Sequence, residues 1–461
     1  MVFDFKKVFN TIPDKISYFI RAFFYIYIFS LPFKHVTSVR ETSFYLMFLL
    51  FLIKVGKNGI KIRLNDLSII AFFSLVGVAI LSILFSPYSI DSLDAFRKNM
   101  FMQIMVFFVI LNDFDSFEKL KPLVFTIAGS FVMLSIVVLI EGGILGRFNF
   151  VSSVHDPQTF WGGYALLATF YIPFTVGCLF INKDNRYVTG IILIFLLLEV
   201  FLLTLYGKRT PLIAVIFSLV VVLLLSRKYR QVWILFFLAL TIVGSAYYIP
   251  RIVKLEFSQN VKQNEKTVQT ESHVKSEVIM SFNDLTSMNE RYAMWRGTLD
   301  MIKEHPVFGY GYGWKKLSWV AKEHGFLDKW AADDEHFSRT QYDSVYNYFK
   351  RTNYGSANPH NLALQILFEV GIIGLIAFIF FWSAIYVRAI KIFLWGKSTD
   401  GKLFVTYGVL GVLMSYIIIN ITNGLWEETT GILMTVLAAL TLVVFKEQKY
   451  FSTVQSISKF C

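Results

Sequence analysis

Three polar clusters interrupt a chain whose apolar residues otherwise come in long runs, and they hold the side chains best suited to chemistry. The first is Tyr206-Gly207-Lys208-Arg209-Thr210-Pro211, a minimal turn between two apolar stretches. A guanidinium presents a rigid planar fork of donors that matches phosphate oxygens, and the neighbouring ammonium adds a point charge. The second, Arg97-Lys98, offers the same pairing just before another apolar run. The third is Ala357-Asn358-Pro359-His360-Asn361, which leads into an apolar stretch containing Glu369, Gly371 and Gly374. A histidine at such a mouth exchanges protons near neutral pH and suits a general base.

Each cluster also has a plainer reading. Arg or Lys at a membrane interface snorkels to headgroups or forms a structural ion pair. Asn358 as a helix cap, Pro359 in the first turn and His360 as a polar helix-start residue need no chemistry. Gly371 and Gly374 could serve only close helix packing. The one obvious acidic cluster, Asp333-Asp334-Glu335, reads as a solvated loop face rather than a metal site. No metal or other cofactor is expected.

The elements that must position these residues follow from composition. Of 461 residues, 55% are hydrophobic, 17% aromatic and only 16% charged, more apolar surface than a soluble core can use. Several runs approach or reach the ~20 residues that carry a helix across a bilayer. The chain therefore reads as an all-α, polytopic membrane protein. Twelve spans are expected near residues 17–33, 42–55, 67–85, 99–112, 123–140, 160–181, 188–205, 210–226, 232–249, 362–387, 403–421 and 430–445. The first lacks a small-residue cleavage site and reads as an uncleaved span. Two cysteines, Cys178 and Cys461, offer no disulfide framework.

A net charge of +12 could point to nucleic acid, but its distribution points to a membrane. With the N-terminus inside, the inner segments hold 22 Lys and Arg against 7 in the short outer loops. This is the asymmetry of the positive-inside rule, so both termini are expected in the cytoplasm. Lys208, Arg209, Arg97 and Lys98 stand against that bias on the outer face. Four regions result: a bundle of about nine spans over 1–249, a large outer loop over 250–359, about three further spans over 360–445, and a cytoplasmic tail over 446–461. Within the loop, Tyr292, Trp295, Leu299 and Ile302 recur at helical spacing, with Asn289 as N-cap and Pro306 and Gly309 ending the pattern. Residues 261–284, polar and poor in aromatics, are expected to be mobile.

His360-Asn361, nine residues, Gly371, two residues and Gly374 together resemble the signature of the bacterial O-antigen ligase family, whose relatives include O-antigen polymerases and protein O-oligosaccharyltransferases. The Gly207-Lys208-Arg209-Thr210-Pro211-Leu212 turn is similar to that family's outer-face arginine turn. Arg291-Tyr292-Ala293-Met294-Trp295, followed by Pro306-Val307-Phe308-Gly309-Tyr310-Gly311, resembles its loop segment. His155-Asp156-Pro157-Gln158-Thr159-Phe160 is close to another family pattern, with Gln158 where Asn is frequent. The resemblance covers about residues 155–445.

It implies a glycosyltransferase at the periplasmic face of the inner membrane. Its donor would be a glycan on undecaprenyl diphosphate and its acceptor the lipid A core. His360 would be the general base and Arg209 and Arg291 the cations on the pyrophosphate, with Lys208, Asn361, Arg97 and Lys98 as substrate contacts. Inversion at the anomeric carbon is the implied outcome. A polymerase, whose acceptor is a second lipid-linked glycan, is the nearest alternative, and a protein acceptor is a third. A lipid-linked oligosaccharide flippase or other transporter would place charged residues at mid-membrane and alternate its access, whereas the candidate groups here gather at one outer face, and no internal repeat is seen.

Overall fold

The computed structural model describes residues 12–60, 66–143, 163–181, 185–205, 209–225, 241, 286–332, 345–394 and 399–458. Among them there is no strand. A bilayer core offers no water to satisfy backbone groups, so long apolar runs fold as helices that satisfy their own. The helices are α1 (Ile12–Ser30), α2 (Thr37–Asn58), α3 (Leu67–Leu84), α4 (Ser89–Lys98), α5 (Met100–Asp113), α6 (Phe117–Gly143), α7 (Tyr164–Ile181), α8 (Arg186–Leu205) and α9 (Arg209–Leu225). After them come α10 (Thr286–Ile302), α11 (Leu317–Glu323), α12 (Phe326–Ala332), α13 (Leu362–Leu394), α14 (Asp400–Asn420) and α15 (Glu428–Ser458). Seven of these are long and apolar enough to cross a membrane, and α1 and α9 contain shorter apolar stretches. The chain is thus an all-α, multi-pass membrane protein.

The expected second span is a longer helix, because α2 runs through Arg40, Glu41 and Lys57, which a hydropathy reading excludes. The fourth, α5, is 14 residues long. The span expected at 232–249 falls, save residue 241, outside the described residues, as do 261–284, Gln158 with the rest of its motif, and Asp333-Asp334-Glu335. Helix α15 continues to Ser458, through most of the stretch assigned to a tail.

At the centre stands α7, almost wholly buried among α6, α8, α9 and α14. Tyr164 and Tyr171 of α7 stack on Phe131 of α6, with centroids 5.0 and 4.4 Å apart. Gly177 meets Gly408 of α14 backbone to backbone, at a π-helical turn over Val405–Val409. Small residues let membrane helices approach in this way. The Gly177–Gly408 and Phe170–Tyr416 contacts fix α14 antiparallel to α7. On the other side of the molecule α13 packs on α3, and α15 packs on α5 and α13.

A second, smaller core lies outside the spans. Met301, Tyr310, Leu317, Trp330 and Phe349 gather around Phe368 of α13, so the loop helices sit on the opening turns of that span. The helix expected around Tyr292 to Ile302 is present as α10. It begins at Thr286, which leaves Asn289 inside the helix rather than at its cap.

Candidate active site at one end of the bundle

Helix α13 does not begin where the sequence suggested. Asn358 and Pro359 precede it, and the cap is Asn361, whose Oδ1 accepts from the Leu364 N–H at 3.1 Å. The amide of the same residue donates to the Ile421 carbonyl at 3.0 Å, joining the mouth of α13 to the connection between α14 and α15. Asn358 instead closes an Asx turn, its Oδ1 accepting from the His360 N–H at 2.7 Å. The Tyr348 hydroxyl donates to the Asn358 carbonyl and accepts from its N–H, both at 3.0 Å. His360 lies half-buried between these two asparagines with φ at +47°, the left-handed region. An L-residue pays about 1–2 kcal/mol for that conformation. Strain of this kind, held by hydrogen bonds on both sides, is characteristic of functional positions.

Further along α13 the helix is broken. Gly371 has φ +68° inside the span, and a Cβ there would overlap the carbonyl of Val307. The loop backbone that follows α10 lies in this break. Ile372 N–H donates to the Pro306 carbonyl at 2.9 Å and Tyr310 N–H to the Phe368 carbonyl at 2.8 Å. Gly309, with φ +65°, has no room for a side chain against the Phe368 and Glu369 backbone. The glycines of the signature therefore do more than bring helices together: Gly371 lets the loop dock on the span.

That docking sets the position of α10 and with it Arg291. The Arg291 side chain is half-buried, and desolvation alone holds its guanidinium below the usual arginine range. Among the described residues no carboxylate pairs with it. A partly desolvated guanidinium favours an anionic partner, and its planar fork of donors suits phosphate oxygens.

Arg209 opens α9; its side chain and Lys208 lie outside what is described. Its place in the bundle follows from chain sense. Helix α8 packs on α7 after a link of only four residues and so runs antiparallel to it, with Thr175 against Glu199, and only residues 206–208 separate α8 from α9. Helix α9 is thus parallel to α7 and antiparallel to α14. Its first residue therefore lies at the end where α14 finishes, the end that also holds Ile421 and the His360 turn. Arg209 and His360 accordingly share one end of the bundle, with Arg291 on the helix docked there. Arg97 and Lys98 end α4, each about 60% exposed and paired with Asp94 at 2.8 and 2.6 Å.

Near this turn lies a buried polar group that the sequence patterns do not single out: Glu369, Gln365, Trp426, Glu427 and Lys316. Glu369 carried a signal, a carboxylate inside an apolar run. Lys316, in a polar loop, carried none.

Residues 192–379 match the family model described as O-Antigen ligase. The matched stretch includes Arg209, Arg291, His360, Gly371 and Gly374, and for it the resemblance seen in the motifs is shown. No curated protein matches the chain.

Proposed function

We propose that this chain is an inner-membrane glycosyltransferase of the O-antigen ligase and polymerase type. In this reading it acts at the periplasmic face and moves a glycan from undecaprenyl diphosphate to the lipid A core. The family match over residues 192–379 supports the general class. The observation that carries the chemistry is the strained His360 turn, at the same end of the bundle as Arg209 and on the element where the helix of the half-buried Arg291 docks.

In this mechanism His360 removes the proton of the acceptor hydroxyl as its oxygen attacks the anomeric carbon. The bond from that carbon to the pyrophosphate oxygen breaks, and undecaprenyl diphosphate leaves with the electron pair. Attack opposite the leaving group inverts the anomeric centre. Negative charge grows on the pyrophosphate as the bond lengthens, so fixed guanidinium groups stabilise the transition state more than the ground state. Arg209 and Arg291 take that role, and Lys208 adds a point charge beside the first. Arg97 and Lys98 would meet substrate headgroups from α4 while keeping Asp94 as counter-ion. Asn361, its amide engaged with the helix cap and Ile421, would serve the substrate by holding the His360 backbone. The donor is already activated as a diphosphate, so the paired carboxylates of a soluble glycosidase have no part here.

Purified chain in liposomes, given a defined undecaprenyl-diphosphate glycan, tests this reading. Offered lipid A core and a second lipid-linked glycan separately, it should elongate the lipid A core. Product formed only with the lipid-linked glycan would make it a polymerase, and no product with either would overturn the class.

A further inference from the structure

Beside the His360 turn lies a buried charged knot that the transfer chemistry above does not use. Glu369, Glu427 and Lys316 are 0%, 5% and 1% exposed. Charged side chains are found so deep only when they are paired. Glu369 Oε2 accepts from the Gly313 N–H at 2.8 Å, and its Oε1 accepts from the Gln365 amide at 2.7 Å and the Trp426 indole N–H at 3.4 Å. Glu427 lies against Glu369. One of its oxygens takes the Asn99 amide at 3.4 Å, and the other finds no donor among the described residues. The Lys316 ammonium donates to the Tyr312 and Gly313 carbonyls at 2.8 and 2.6 Å.

Two facing carboxylates cannot both stay ionised in so dry a place. One proton kept between them supplies the donor that Glu427 lacks and leaves a single negative charge, equal and opposite to that of Lys316. Burial pushes the Glu427 carboxyl well above the usual carboxylate range. The same burial brings Lys316 down to about 8 against the pull of Glu369, Glu427 and Asp91.

The knot joins four pieces of the molecule: α13 through Gln365 and Glu369, the turn after α10 through Gly313 and Lys316, the α14–α15 connection through Trp426 and Glu427, and the start of α5 through Asn99. That turn carries α10, and the α14–α15 connection accepts the Asn361 amide. We propose that Glu369, Glu427 and Lys316 form a positioning element. A carboxyl pair sharing one proton, balanced by Lys316, holds the Arg291 helix in register with the His360 turn. The inference rests on the reading of Arg291 and His360 as donor-binding and base.

The hydrogen-bond pattern predicts which substitutions matter. Glu427→Gln still offers Glu369 a donor, without needing a proton. Glu427→Leu fills similar space and offers none. Glu369→Gln turns an NH2 toward donors whichever way its amide faces. Transfer by purified, folded variants should stay within a few-fold of wild type for Glu427→Gln. It should fall about a hundredfold, chiefly in kcat, for Glu427→Leu and Glu369→Gln, the scale expected when reacting groups shift by about an ångström. Equal rates for Glu427→Gln and Glu427→Leu would mean that the site only fills space, and the proposal would fail. A wild-type rate for Glu369→Gln would also sink it.

Hydrogen exchange of the 306–316 segment gives a readout independent of transfer. Glu369→Gln and Glu427→Leu should speed it, and Glu427→Gln and His360→Ala should leave it unchanged. If wild-type protein transfers nothing, the functional reading fails, and exchange alone then decides whether the knot holds the loop. Unaltered exchange in Glu369→Gln would overturn the positioning role whatever the chemistry.

Discussion

At His360 an Asx turn from one side and a capping asparagine from the other hold an imidazole on a left-handed backbone. The position was legible in the sequence as a polar break before an apolar run, but its geometry was not. The sequence points to Asn358 as the cap, whereas Asn361 caps the helix through the Leu364 N–H and Asn358 closes the turn before it, an arrangement further tied by the bond from Asn361 to Ile421, 60 residues away in the chain. Arg209 was legible as a cation on the wrong side of the charge bias. Arg291 was legible only through a motif, because an arginine in a loop helix is ordinarily solvated; its desolvation comes from tertiary docking. If it grips the pyrophosphate, Arg291→Ala should cost about a hundredfold in turnover, as removal of one transition-state donor does. Lys should restore only part of the loss, since a point charge lacks the fork. Steady-state kinetics on a lipid-diphosphate donor checks this, and full recovery with Lys would argue against bidentate binding.

The break in α13 and the turn that fills it are the elements on which the site depends. A pattern of apolar residues predicts a span here but not its interruption, since glycine at 371 serves a straight, closely packed helix equally well on paper. Gly371→Ala must place a Cβ against Val307 in a left-handed conformation. We expect a loss of at least about 1–2 kcal/mol from the backbone alone, read as a lower Tm in detergent. Gly129→Ala in α6, with open space around it, should be neutral or slightly stabilising. The same turn carries a pH dependence. His305 packs on Tyr310, with centroids 4.5 Å apart, and near His324. Burial first, and the His324 charge second, lower its value below the usual 6.5, while Glu304 opposes them. The folded state therefore binds its proton less readily than the unfolded chain. The stability this contributes is present above 6.5 and is lost as pH falls through the depressed folded value. Protection factors across residues 303–325, taken relative to the intrinsic exchange rate at each pH, should fall on acidification, and His305→Gln should blunt the change.

At the scale of the whole molecule, ion pairs tie helices together at the end remote from the site. Away from the His360 turn, Arg388 pairs with Asp66 at 2.6 Å, Lys54 with Asp113, and Lys121 with Asp400 at 2.9 Å, linking the far ends of the helices. These basic residues belong to the set that the charge bias assigned to the cytoplasm. The overall class and most spans were legible because a bilayer demands long apolar helices. Helix contacts such as Gly177 on Gly408 were not, since small residues occur throughout such sequences. Orientation is tested by a single exposed cysteine, Lys322→Cys, in a Cys461→Ser background where Cys178 is buried. An impermeant maleimide should label it in cells whose inner membrane is intact. Labelling only after that membrane is breached would reverse the topology and remove the active site from the periplasm.

The central claim is that His360 takes the acceptor's proton, and single-turnover transfer by His360→Ala in liposomes tests it most directly. Loss of a general base costs a factor of about a hundred to ten thousand, so transfer should nearly vanish while donor binding and Tm stay close to wild type. Wild-type turnover should rise with pH across the range in which an imidazole gives up its proton. A folded His360→Ala protein that transfers glycan at the wild-type rate would contradict the account.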